Sequence, residues 1–149
     1  MKTVFDKATR DELIRRIHSL HEHSPREWGK MNIRQMVRHC TLWEEMVLGK
    51  RKLKRSFPGR IFGRLALKAS VKDDRVIGRN MPSGREIRVR EAIDSELASD
   101  KNHWISLIEE YGYFSNYGFI HPFFGEMTKA QIGYFAYKHS DHHLRQFNS

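Results

Sequence analysis

Apolar side chains recur at intervals of three and four residues in four stretches of the chain, a spacing that gathers them on one face of an α-helix. The first stretch carries Leu13, Ile14, Ile17, Leu20 and His21. Thr9-Arg-Asp-Glu12 reads as its capping box, and Pro25 lies beyond its end. The second carries Met36, His39, Cys40, Trp43, Met46 and Val47, opened by the cap signal Asn32–Gln35 and closed by Gly49. A third helix is predicted from about Asp94 to Tyr111, with Leu97, Trp104, Leu107, Ile108 and Tyr111 inward and Gly112 as terminator. The fourth, Thr128 to Phe147, puts Ile132, Phe135, Ala136, His139, His143 and Gln146 within a strip roughly 100° wide. No stretch alternates as a strand does. The expected fold is all-α: one domain over 1–149, a four-helix bundle with a long crossover between its second and third helices.

The crossover runs from Lys50 to about Arg90, where Pro58, Gly59, Gly63, Gly78, Pro82 and Gly84 break the pattern. Arg60 to Ala69 fits a short basic amphipathic helix, with Ile61, Leu65 and either Phe62 or Leu67 turned inward. Met81-Pro82-Ser83-Gly84 reads as a turn and Glu86–Val89 as extended chain. A second connector, GYFSNYGFIHPFFGEM, holds six aromatic rings, enough to fold over the core as a plug or pocket wall.

Charge sharpens this division. The chain has a net charge of +9, and 14 Lys and Arg lie between Lys50 and Arg90 against Asp73, Asp74 and Glu86, leaving a small net negative charge elsewhere. Basicity therefore belongs to the crossover and not to the fold as a whole. A nucleic-acid-associated role through residues 50–90 is the reading it invites. The segment lacks aromatic interleaving, a reading motif and a phosphate-loop glycine pattern, so a solvated crossover is favoured. The single cysteine, Cys40, excludes an internal disulfide and a cysteine-rich zinc site. With no apolar leader at MKTVFDKATRDEL and no run of membrane-span length, the expectation is a cytoplasmic protein with no membrane partner.

The unexpected residues are histidines inside apolar stripes. His139 and His143, four apart in KHSDHHLRQF, stand one turn apart on the inward face of the last helix. Desolvated imidazoles need a receiver for their nitrogens, and a metal ion is the usual one. His39 occupies the same kind of position on the second helix. If those helices face each other, three histidines converge and leave positions open to water or substrate, as in a catalytic site. The donor set suits zinc or nickel, with iron as a third candidate. A metal so held would acidify water or keep an incoming thiol as thiolate.

These residues give the chain a family likeness. WGKMNIRQMVRHC, MPSGREIRV, HPFFGEMTKAQ and HSDHHLRQF, spread from Trp28 to Phe147, resemble the DinB/YfiT-like superfamily of metalloenzymes. The resemblance implies a four-helix bundle with one long crossover, and metal ligands at His39, His139 and His143. It also implies a small-molecule substrate, with a low-molecular-weight thiol such as bacillithiol or mycothiol as cosubstrate in some relatives. A homodimer fits the family as well. Fold and ligands do not fix the reaction, so thiol transfer, small-molecule hydrolysis and non-catalytic metal or ligand binding all stay open.

Supporting roles are assigned by position. His142, about 60° round the helix from His139, is placed to bond locally or relay a proton, and Gln146 to orient a ligand nitrogen or water. His121, in the aromatic connector, is placed either to cap the pocket or to hold its own loop. Trp43 and Phe135 are pocket walls or core, and Cys40 is a small core residue. Asp141 points away from the ligand pair, and Arg145 toward another helix or solvent. His18, His21 and His23 have close spacing but no acidic or cysteine partner, and are expected in solvent.

Overall fold

The computed structural model describes residues 1–79, 81, 84, 87–90 and 94–149. Five helices account for most of them: α1 Lys7–Ser19, α2 Ile33–Val47, α3 Phe57–Ser70, α4 Leu97–Glu110 and α5 Lys129–Gln146. A two-stranded antiparallel hairpin, β1 Ile120–His121 with β2 Gly125–Glu126, sits in the second connector, where no strand was expected. Helix α2 packs against α4 and α5, α1 packs against the same two, and α3 lies on β2. No helix among the described residues is long and apolar enough to cross a membrane.

Local chemistry explains where the site-bearing helices begin. Asn32 and Thr128 each cap the third backbone N–H of their helix, and Gln35 and Gln131 reach back to the cap residue. Both boxes match the expectation. Thr9-Arg-Asp-Glu12 does not form one. Thr9 is buried inside α1, whose N-cap is Asp6 without a side-chain bond. The preceding residues set that start: Val4 N–H donates to Gly133 O of α5 at 3.2 Å, and Arg10 donates to the carbonyls of Val4 and Phe5. Helix α2 ends at Val47 with Leu48 as its C-cap, and Gly49 follows at φ +82 as the left-handed residue.

The apolar stripes of α2, α4 and α5 are buried as expected. On α1, Leu13, Ile17 and Leu20 are buried, but His21 lies past the helix end in solvent. The sharpest reversal is on α3. Ile61, Phe62 and Leu65 are exposed, and the buried face is Gly59, Gly63 and Leu67. Glycine leaves room for backbone to approach, and a Cβ on Gly63 would lie 1.9 Å from Phe123 O. The turn Met81–Gly84 and the extended stretch Glu86–Val89 fall partly outside the described residues. In the aromatic connector Phe114, Phe119 and Phe124 are buried, whereas Tyr113 and Tyr117 are exposed.

Candidate metal centre

Helices α2 and α5 bring His39, His139 and His143 together, all three buried, with one ligand atom from each lying within 4.8 Å of the others. His39 Nδ1–H donates to Ile87 O at 2.7 Å, which turns its Nε2 toward the other two rings. His143 Nδ1–H donates to Gln146 Oε1 at 2.9 Å. The orientation of that amide is fixed in turn, because Gln146 Nε2 donates to Trp28 O at 2.8 Å. Both rings are thus held in the tautomer that leaves Nε2 with a lone pair. Gln146 holds the His143 ring at Nδ1.

His39 Nε2 and His139 Nε2 are 3.2 Å apart. Two nitrogens bound to one tetrahedral zinc at ~2.0–2.1 Å would stand ~3.3 Å apart. One proton can bridge one such pair, but it cannot also satisfy the third lone pair. His139 Nδ1 is buried with no hydrogen-bond partner among the described residues. A divalent cation would take the three convergent lone pairs, though not His139 Nδ1, so the residues present fit a metal ion and could hold one.

Electrostatics keeps the ligands neutral. Burial pushes His139 and His143 well below the ordinary imidazole range, and the neighbouring histidines add to the effect. Burial also lowers His39, partly offset by its bond to Ile87. Neutral imidazole is the form that binds metal. Trp43 stacks on His139 at 4.6 Å between ring centroids, and Phe135 lies 6.5 Å from the same ring. Both rings pack against the site and also belong to the hydrophobic core.

The remaining candidates fall into place around this centre. His142 Nδ1–H donates to Ile77 O at 3.2 Å, and its ring lies 5.0 Å from that of His143. It therefore touches a ligand without joining the set. His121 accepts at Nδ1 from the N–H groups of Phe123 and Phe124, both at 3.1 Å. Burial, with Arg55 nearby, lowers its pKa to about 4. It holds the hairpin in shape and lies beside the site, its ring 6.3 Å from that of Phe135 and its charge felt weakly at His139. Cys40 is buried, its thiol pushed well up by burial and by Glu44. Asp141 pairs with Arg16 at 2.8 Å, and Arg145 is exposed. His18, His21 and His23 are all exposed.

Sequence reasoning missed two residues. Glu44 is fully buried one position beyond Trp43, and accepts from Tyr111 and from Ser140, the neighbour of His139. Burial raises its pKa to about 7, with those bonds opposing the rise. Only the breadth of the buried face of α2 signals it. Gly29 is the other. It sits at φ +82, and a Cβ there would lie 2.4 Å from Gln146 Nε2.

No curated protein and no solved structure matches the chain. One family model does, over residues 4–149. By that match the chain belongs to the family described as Protein of unknown function (DUF1569).

Proposed function

We propose that the protein is a metal-dependent enzyme acting on a small molecule, by transfer of a low-molecular-weight thiol or by hydrolysis. In this reading α1, α2, α4 and α5 are the four helices of a DinB/YfiT-like bundle, and α3 lies in its crossover. The observation that carries the proposal is the convergence of Nε2 atoms. His39 and His143 have their Nδ1–H groups engaged by Ile87 O and Gln146 Oε1, so their lone pairs face His139 in a buried space. Three neutral nitrogens, with no fourth ligand grouped with them among the described residues, leave room for a reactant.

Zinc or nickel suits the donor set best, with iron next; any of them supplies Lewis acidity to a water or thiol in the open position. The chain's own residues do the rest. Trp43 and Phe135 exclude water from one side of the His139 ring. Gln146 and the Ile87 carbonyl fix the angle of two ligands. His142 spends Nδ1–H on Ile77 O, which leaves Nε2 as the basic atom that can hold a proton beside His143.

Metal analysis of untagged protein tests the site. About one equivalent of zinc or nickel is expected in the wild type, and loss of it in His39→Ala and His143→Ala. A wild type that stays metal-free when grown with both metals overturns the reading. Turnover is a separate test. Loaded protein is offered a thiol and an electrophile, and adduct formation is compared between the wild type and His142→Gln. A metal that raises the melting temperature but supports no turnover would make the site structural.

A further inference from the structure

Helix α3 carries three lengthwise zones, as its 100° step per residue allows. Gly59, Gly63 and Leu67 are buried and seat the helix on the hairpin. Phe57, Ile61 and Leu65, spaced by four, form a second zone with Phe62 beside them. They are 75%, 59%, 72% and 59% exposed, respectively. Between these zones runs a third, Arg60, Arg64 and Lys68, also exposed. Lys50 pairs with Glu110 and Arg51 with Glu45, but no ion pair engages the three α3 cations among the described residues. No acidic residue occurs from Lys50 to Ser70.

Single exposed apolar residues are ordinary on a protein surface, but four on one arc of one helix are not. The arc also continues past the helix. Beside Leu65 and Lys68 opens a groove of about 720 Å³, with Tyr117 and Ile120 on its other wall. The result is an apolar surface edged by Arg60, Arg64 and Lys68, with Glu126 as the one carboxylate among the described residues lining the groove.

We propose that α3 is an interfacial helix that adsorbs the protein to anionic lipid bilayers. Phe57, Ile61 and Leu65 enter the boundary between headgroups and acyl chains. Arg60, Arg64 and Lys68 lie along it against lipid phosphates. Charge complementarity selects this occupant. A second copy laid α3 to α3 would face cations with cations, and nucleic acid offers nothing to the apolar arc. The expectation of no membrane partner rested on the lack of a spanning segment, and adsorption needs none.

Cosedimentation of the full chain with vesicles tests this, using equimolar phosphatidylcholine and phosphatidylserine against phosphatidylcholine alone. Partition should be at least about tenfold greater on the anionic vesicles and should fall with salt. The triple variant Phe57→Ser, Ile61→Ser, Leu65→Ser should lose about tenfold with its melting temperature unchanged. The triple variant Arg60→Gln, Arg64→Gln, Lys68→Gln should lose about fivefold per charge and most of the salt dependence. It probes the same surface without touching a packed residue. A wild type that stays in the supernatant with anionic vesicles at low salt overturns the proposal. So does an apolar variant that partitions as the wild type does, which would assign the attraction to diffuse charge. A dimer in solution abolished by the apolar substitutions would assign the surface to a second copy instead.

Discussion

At the residue scale the metal centre depends on a relay that starts at a glycine. Gly29, at φ +82, lets the chain pass close to Gln146, whose amide then bonds Trp28 O on one side and His143 Nδ1 on the other. Gln146→Ala leaves the His143 ring without its acceptor, and loss of such an outer partner typically costs 10- to 100-fold in metal affinity. That loss is the expectation, read by competition titration against a zinc chelator. Gly29→Ala should reach a similar loss from a residue that contacts no ligand. Its Cβ would stand 2.4 Å from Gln146 Nε2, and the left-handed backbone adds a conformational cost of about 1 kcal/mol. Wild-type affinity in Gly29→Ala would show that Gln146 can shift without releasing His143.

At the element scale the instructive case is α3. Alanine in place of a helical glycine gains about 1 kcal/mol of helix propensity. At Gly63 the added methyl would fall 1.9 Å from Phe123 O, and a backbone carbonyl cannot step aside as a flexible side chain does. Steric cost wins, so Gly63→Ala should lower stability by roughly 1–3 kcal/mol, measured by thermal unfolding. Gly118→Ala, with no heavy atom within 4 Å of its added Cβ, is the control and should change little. The same helix shows why part of the fold was illegible. Its buried face is glycine at two of three positions, which carry no hydrophobic signal; Leu67 is inward as one of the two alternatives expected, but Ile61 and Leu65 are not. The hairpin strands are two residues each, too short to show alternation. The stripes of α2, α4 and α5 were legible because large side chains recur there at helical spacing, and the metal ligands were legible because histidine was the exception within them. Glu44 was not, because a carboxylate next to Glu45 reads as solvated until tertiary packing closes over it.

At the scale of the whole molecule the buried titratable groups give stability two opposing pH limbs. The folded-state pKa values of His39, His139 and His143 are lowered by burial, so between them and the unfolded value near 6.5 the unfolded chain binds more protons. Stability therefore falls as pH drops below about 6.5. Glu44 works in the other direction. Its folded pKa is raised by burial from 4.5 to about 7, so its neutral form suits the core, and its contribution declines from about pH 4.5 and is gone above about pH 7. That shift corresponds to roughly 3 kcal/mol between acidic and alkaline solution, an upper figure because the core can relax around the charge. Stability to denaturant with chelator present should rise to a maximum near pH 6.5, because three histidines outweigh Glu44 below it, and level off above about pH 7. Glu44→Gln keeps the side chain's shape and its partners Tyr111 and Ser140. It should match the wild type below about pH 4.5, gain on it steadily up to about pH 7 and exceed it by up to that amount at pH 9, so that the limb below pH 6.5 becomes steeper. A Glu44→Gln protein that gains nothing on the wild type between pH 5 and pH 9 would show that Glu44 ionises in the core at no cost to folding. Saturating zinc should lift the whole curve above pH 6.5, by about 2.7 kcal/mol at a hundred times the dissociation constant, and steepen the acid limb as protons compete for the three ligands.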